Sequence, residues 1–178
     1  MDGEQEALFE AHFRSFAGDV YAYALRRSSA DVAQDVTAQT FLIAWRRRAQ
    51  APSEPLPWLY GIARGVLANE RRSARRRGAL VGRIAAEPAP ALASATSVEA
   101  REVLAAVARL SSRDSEALLL TAWEGLSTRE AAIVLGCSAP ALAVRLHRAR
   151  RRLARELIES GARVEPAGCA HPLSELSA

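Results

Sequence analysis

Apolar residues recur every three or four positions along most of this chain and nowhere alternate with polar ones, so the pattern predicts helices and no strand. Phe9, His12, Phe13, Phe16, Val20 and Tyr23 mark a first helix from Gln5 to about Arg27, closed by a break at Ser28 to Asp31. A second helix runs from Asp31 to Arg48. Three prolines make Ala49 to Pro57 an ordered loop, and a third helix starts at Pro57 and reaches about Arg77. From Ala79 to Ala100 the chain is alanine-rich, lightly charged and broken by Pro88 and Pro90, the composition of a flexible linker. Helical spacing resumes near Val98, with one stripe of Val103, Val107 and Leu110 and the next of Ala117, Leu118, Leu120 and Trp123. It fails again after Gly161. The expectation is an all-α fold of two small helical domains, residues 1–79 and 99–160, joined by the linker 80–98 and followed by a disordered tail, 161–178.

Two of the N-terminal helices carry more apolar residues than one core face needs. On the second, Val32, Ala33, Val36, Thr40 and Ile43 share a face, while Ala38, Phe41, Leu42 and Trp45 lie on the other side beside Gln34, Asp35 and Gln39. Such a helix is either sandwiched between neighbours or offers its second face to another protein. On the third, Leu59, Ile62, Ala63 and Val66 can pack inward, leaving Trp58, Tyr60, Arg64, Arg71 and Arg72 as aromatics beside cations. Rings that stack on bases next to cations that neutralise phosphates are what single-stranded DNA binding requires. A core tryptophan under a solvated arginine face has the same spacing.

The most specific local signal is LSTREAAIVLGCSAPALAVRLHRARRRL, Leu126 to Leu153. Ser127 and Glu130 form a capping box, Gly136 supplies a left-handed helix end, and Ser138 caps a second helix with Pro140 in its first turn. In that second helix Leu142, Leu146, Ala149 and Leu153 form one buried stripe, and the opposite face carries Ala141, Val144, Arg148, Arg151, Arg152 and Arg155. A short helix with a thin apolar stripe and an arginine-covered back fits a recognition helix in a major groove. Many DNA-binding regulators share this unit. By itself it also fits a regulator with a helical sensor domain that binds a duplex operator.

Charge agrees with a polyanionic partner. The 178 residues carry a net charge of +4, and all 24 basic residues are arginine. They cluster in two runs, Arg71 to Arg77 and Arg145 to Arg155, which suggests two separate contacts with nucleic acid. The two cysteines, Cys137 and Cys169, make no disulfide framework, and Cys169 with His171 is too little for a zinc site. The three histidines are scattered and no catalytic constellation is visible, so neither a metal, a cofactor nor an enzymatic activity is expected. His12, on an apolar face, is expected to pack there. The acidic start MDGEQEALFE is not signal-like and no apolar run is long enough to span a bilayer, so a cytoplasmic protein without membrane contact is expected.

DVAQDVTAQTFLIAWRR, PWLYGIARGVLANERR and GLSTREAAIVLGCSAPALAVRLHRARRRL, in that order, together resemble an extracytoplasmic-function sigma factor of bacterial RNA polymerase, over roughly residues 5 to 160. The resemblance implies a non-enzymatic protein that binds core polymerase, at its β′ clamp and β flap, and directs promoter recognition, −10 melting and initiation. It assigns Asp35, Gln39, Leu42 and Trp45 to the polymerase interface. It places Trp58, Arg64, Asn69, Arg71 and Arg72 on the −10 region, whose non-template strand they would hold, and directs Arg145, Arg148, Arg150 and Val144 to the duplex −35 element. Relatives are often held inactive by an anti-sigma factor, a further partner the resemblance brings. Ala143 and Val144 stand where many relatives carry a Lys-Ser pair, Gly65 where asparagine is frequent and Ala38 where glutamine is. A bidentate base contact provides about 1–3 kcal/mol of discrimination, so −35 readout without that pair falls to thymine methyls, DNA shape and Arg145 or Arg148.

Overall fold

The computed structural model describes residues 2–81 and 98–159, and these form seven α-helices, one short 3-10 turn and no strand. The expected linker and tail therefore lie outside the described residues, apart from their edges. The chain divides into two units, Met1–Pro90 and Ala91–Ala178.

In the first unit α1 (Asp2–Leu25) and α2 (Ala30–Arg46) are antiparallel, since Phe9, early in α1, meets Phe41 and Trp45, late in α2, with ring centroids 6.2 and 4.9 Å apart. The turn between them is held by local bonds: the Ser28 hydroxyl donates to the Ala24 carbonyl at 2.8 Å and the Arg27 guanidinium to the Tyr23 carbonyl at 2.9 Å. After a 3-10 turn at Arg48–Gln50, α3 (Pro55–Val81) runs back along α1. Tyr60 stacks on Tyr23 at 4.7 Å, and further along Arg71 donates to the Arg27 carbonyl at 3.1 Å. The core comprises Val20, Tyr23 and Ala24 of α1, Ala33, Val36 and Ala44 of α2, and Leu59, Ala63 and Leu67 of α3. Thr40 is fully buried among them, and its hydroxyl is satisfied by the Val36 carbonyl at 2.7 Å.

Three boundaries and faces differ from the sequence expectation. The third helix begins at Pro55, two residues early, because the first amides of a helix have no intrahelical acceptor and prolines at its first and third positions forfeit nothing. Phe41 is buried, 4% exposed, under Phe9 and Phe13, and Trp45 is half-buried. The second face of α2 is thus partly sandwiched by α1. Tyr60, expected among surface aromatics, is 3% exposed and belongs to the core.

In the second unit α4 (Val98–Arg109), α5 (Ser112–Ala122), α6 (Thr128–Leu135) and α7 (Ala139–Glu159) enclose a separate core. Ser111 caps α5, accepting from the Asp114 amide at 3.2 Å, and the Ser115 hydroxyl reaches the Val107 carbonyl of α4 at 2.7 Å. Leu104 packs with Ala100, Leu119 and Trp123, whereas Val103, expected in the core stripe, is 40% exposed. The long helix α7 contributes Leu142, Leu146, Ala149 and Leu157 to the core.

Candidate nucleic-acid interface

The α6–α7 unit is built by its caps. Ser127 and Glu130 close a reciprocal box: the Ser127 amide and hydroxyl donate to Glu130 Oε2 at 2.8 and 2.6 Å, and the Glu130 amide donates to Ser127 Oγ at 3.2 Å. These bonds stabilise the carboxylate and hold its pKa below the usual 4.5. Gly136 ends α6 at φ 63°, ψ 39°, a conformation that penalises any residue with a Cβ. Three residues, Gly136 to Ser138, then turn the chain through 102° into α7. A three-residue turn containing glycine and a near-perpendicular crossing define a helix-turn-helix.

On α7 the buried stripe Leu142, Leu146 and Ala149 fixes which residues face outward. Val144, 52% exposed, points directly away from the stripe, and Arg151 follows it two turns on. Arg148 is exposed on one side of this outward arc and Arg150 on the other, while Arg145 is half-buried on the flank nearest the core. The four −35 candidates thus do not share one face: Val144 and Arg148 are adjacent, and Arg145 and Arg150 lie on opposite flanks.

Arg152 does not belong to the free arginine face. Its guanidinium bonds Asp114 Oδ2 at 2.7 Å, and the Asp114 side chain is only 10% exposed at the third position of α5. Arg109 of α4 approaches Glu156 at 3.8 Å on the same side of the unit. Arg152 therefore braces the recognition helix against α5.

In the first unit, Trp58, Arg64, Asn69, Arg71 and Arg72 all lie on α3. Asn69, Arg71 and Arg72 are exposed; Trp58 and Arg64 are half-buried. Helical spacing puts Arg64 and Arg71 on one flank, Trp58 and Asn69 on the other, and Arg72 between them along a strip of small residues, Gly61, Gly65 and Ala68. With Tyr60 in the core, Trp58 is the aromatic left from the expected pair. It borders a cavity of about 160 Å³ shared with Phe9, His12, Phe41 and Arg48, where His12 packs as expected. Two arginines outside the basic runs escaped sequence reasoning: Arg27 lies over the Tyr23 ring at 3.7 Å and Arg48 over Trp45 at 4.4 Å. The signal was present, an aromatic and an arginine at i,i+4 and i,i+3.

On α2, Asp35, Gln39 and Leu42 are exposed together with Ala38, and Leu42 keeps 50% of its surface accessible. Trp45 stands apart, held edge-on by Phe9 and covered by Arg48. Among the described residues no single helix is long and apolar enough to cross a membrane, and no three His, Cys, Asp or Glu side chains are grouped to hold a metal ion.

Comparison with known proteins adds a family to this geometry. The pattern for Sigma-70 region 2 matches residues 12–77 and that for Sigma-70, region 4 matches residues 100–153. The ECF RNA polymerase sigma factor SigL of Mycobacterium tuberculosis is 33% identical over 165 residues, covering 88% of this chain and 93% of SigL. The RNA polymerase sigma factor NccH of Alcaligenes xylosoxydans xylosoxydans is 30% identical over 164 residues, covering 85% and 87%. Among solved structures, the sigma factor RpoE of Bartonella quintana, in complex with the anti-sigma factor NepR, superposes with a TM-score of 0.59 at 26% identity, covering 84% of this chain and 96% of RpoE. CnrH in complex with the cytosolic domain of CnrY gives 0.55 at 25% identity, covering 87% and 90%.

Proposed function

The chain belongs to the extracytoplasmic-function sigma factors of RNA polymerase, which direct promoter recognition and initiation, and from that premise we propose how its residues divide the task. The N-terminal domain, residues 1–79, docks on core polymerase and opens the −10 region; the domain 99–160 reads the −35 duplex; the stretch 80–98 connects them. The observation that carries this division is that each unit leaves its own surface unburied: the Asp35, Gln39 and Leu42 strip with the α3 arginines in one, the outward arc of α7 in the other.

Docking uses the exposed strip of α2 against the β′ clamp, with Leu42 as its apolar centre and Trp45 as the support beneath its end. The β flap is the proposed contact of the C-terminal domain. Strand capture falls to Trp58 for stacking and to Arg64, Arg71, Arg72 and Asn69 for the phosphates and base edges. Melting then needs no covalent chemistry, because a protein that binds unpaired bases more tightly than paired ones shifts the promoter toward its open state. The site of action is the cytoplasm, where polymerase and promoter are. A partner of the kind seen on the Bartonella protein, an anti-sigma factor, is proposed for this chain too, and copurification from the host tests it.

Run-off transcription tests the whole. Folded protein added to active core polymerase is expected to give discrete transcripts from a subset of host genomic fragments, and none from any fragment would overturn the assignment. A duplex-binding regulator would instead bind its site tightly without polymerase. Two small DNA-reading units on their own bear the full ordering cost of joint binding, so gel shifts without polymerase are expected to be weak.

A further inference from the structure

The first two turns of α7, the part of a recognition helix that reaches base edges, are apolar on their outer side. Pro140, Ala141, Ala143 and Val144 are all exposed, and the first arginine of the outward arc, Arg148, comes one turn later. An exposed valine at the centre of such a tip is not explained by folding, since the buried stripe lies on the opposite side of the helix. Nor does the surface suit an apolar protein or a lipid bilayer, because one valine, two alanines and a proline offer too little apolar area to anchor on either, and Arg145, Arg148 and Arg151 beside them call for an anionic partner. A partner both polyanionic and locally apolar is a DNA major groove containing thymine, whose 5-methyl group is the apolar feature that groove offers.

We propose that Val144 selects promoters by packing against the 5-methyl group of a thymine in the upstream element, with Ala141 and Ala143 short enough to let the helix backbone come close to the base edges. This rests on α7 being the duplex reader assigned above. Arg148 and its neighbours then supply phosphate grip, and base choice at the centre of the element is made by shape and methyl contact.

The test uses holoenzyme reconstituted from the full chain and core polymerase, first to select promoters from host genomic fragments. In one selected promoter each thymine of the upstream element is then replaced by deoxyuridine, which keeps pairing and the O4 acceptor and lacks only the methyl. The expected result is a loss of about fourfold in holoenzyme binding at one or two positions, the equivalent of one buried methylene per contact. With Val144→Ser holoenzyme the same replacement is expected to change nothing, and because Val144 is exposed that variant should melt like the parent. Unchanged binding at every replaced thymine, an equal loss with Val144→Ser, or an upstream element without thymine overturns the proposal while leaving the sigma assignment standing. Selection of no promoter on unmodified DNA overturns the assignment, and the proposal with it.

Discussion

Replacing Arg152 by methionine separates an arginine that holds the fold from one that holds DNA. Arg152 is 55% exposed and its partner Asp114 only 10%, with 2.7 Å between guanidinium and carboxylate. A hydrogen bond to a charged group contributes about 1.5–3 kcal/mol when buried and an exposed ion pair about 0–1, so this half-exposed pair falls at about 1–2 kcal/mol. The loss is limited because Asp114 sits in the first turn of α5, where the helix dipole still favours a carboxylate. Arg152→Met and Asp114→Asn should therefore each destabilise the second unit by about 1–2 kcal/mol, and the double variant by about 1 kcal/mol less than their sum. Trp123 is the one tryptophan after residue 90, so urea unfolding in a Trp45→Phe, Trp58→Phe background reports this unit alone. The salt dependence of holoenzyme binding completes the assay. Each neutralised phosphate contributes roughly 0.9 to the log–log slope, and Arg152→Met is expected to leave the slope unchanged. A coupling energy near zero would show that the brace is incidental, and a slope reduced by about 0.9 would show that Arg152 grips the backbone of DNA.

Other expectations follow from single contacts. Ser127→Ala should cost about 1 kcal/mol by opening the capping box. Because folding lowers the Glu130 pKa below 4.5, the carboxylate's contribution is complete above the ordinary glutamate range and is lost as pH falls through the lowered value. The stability gap between parent and Glu130→Gln should accordingly close below pH 4.5, and a gap constant from neutral to strongly acidic pH contradicts the argument. Gly136→Ala meets no atom within 4 Å, so its cost is backbone strain alone, about 1–2 kcal/mol in the unfolding free energy of the second unit. Leu42→Glu should leave the melting temperature unchanged and weaken competition for core polymerase by about tenfold, the mark of a hot spot rather than a core residue. Tyr60→Ala, by contrast, should destabilise the first unit by about 3–5 kcal/mol in urea unfolding.

The helix-turn-helix was legible because every determinant is local: Ser127 meets Glu130 three residues away, and Gly136 ends α6 through its own φ. The faces of α2 and α3 were less legible for the opposite reason. A helical wheel tells which residues share a face but not which faces have neighbours, and Phe41 and Tyr60 are covered by Phe13 and Tyr23, 28 and 37 positions earlier in the chain. Arginine was the hardest residue to read. Composition assigns every arginine to DNA alike, yet Arg27 and Arg48 cover aromatic rings and Arg152 holds a carboxylate 38 positions away. Only cations that neutralise phosphate release counterions, so a salt slope inferred from arginine counts would overstate the grip of this protein on DNA. The same distinction sharpens its selectivity. With part of the arginine face committed to the fold and the outer tip of α7 apolar, the proposed reading has discrimination among promoters rest on close fit in the groove more than on charge.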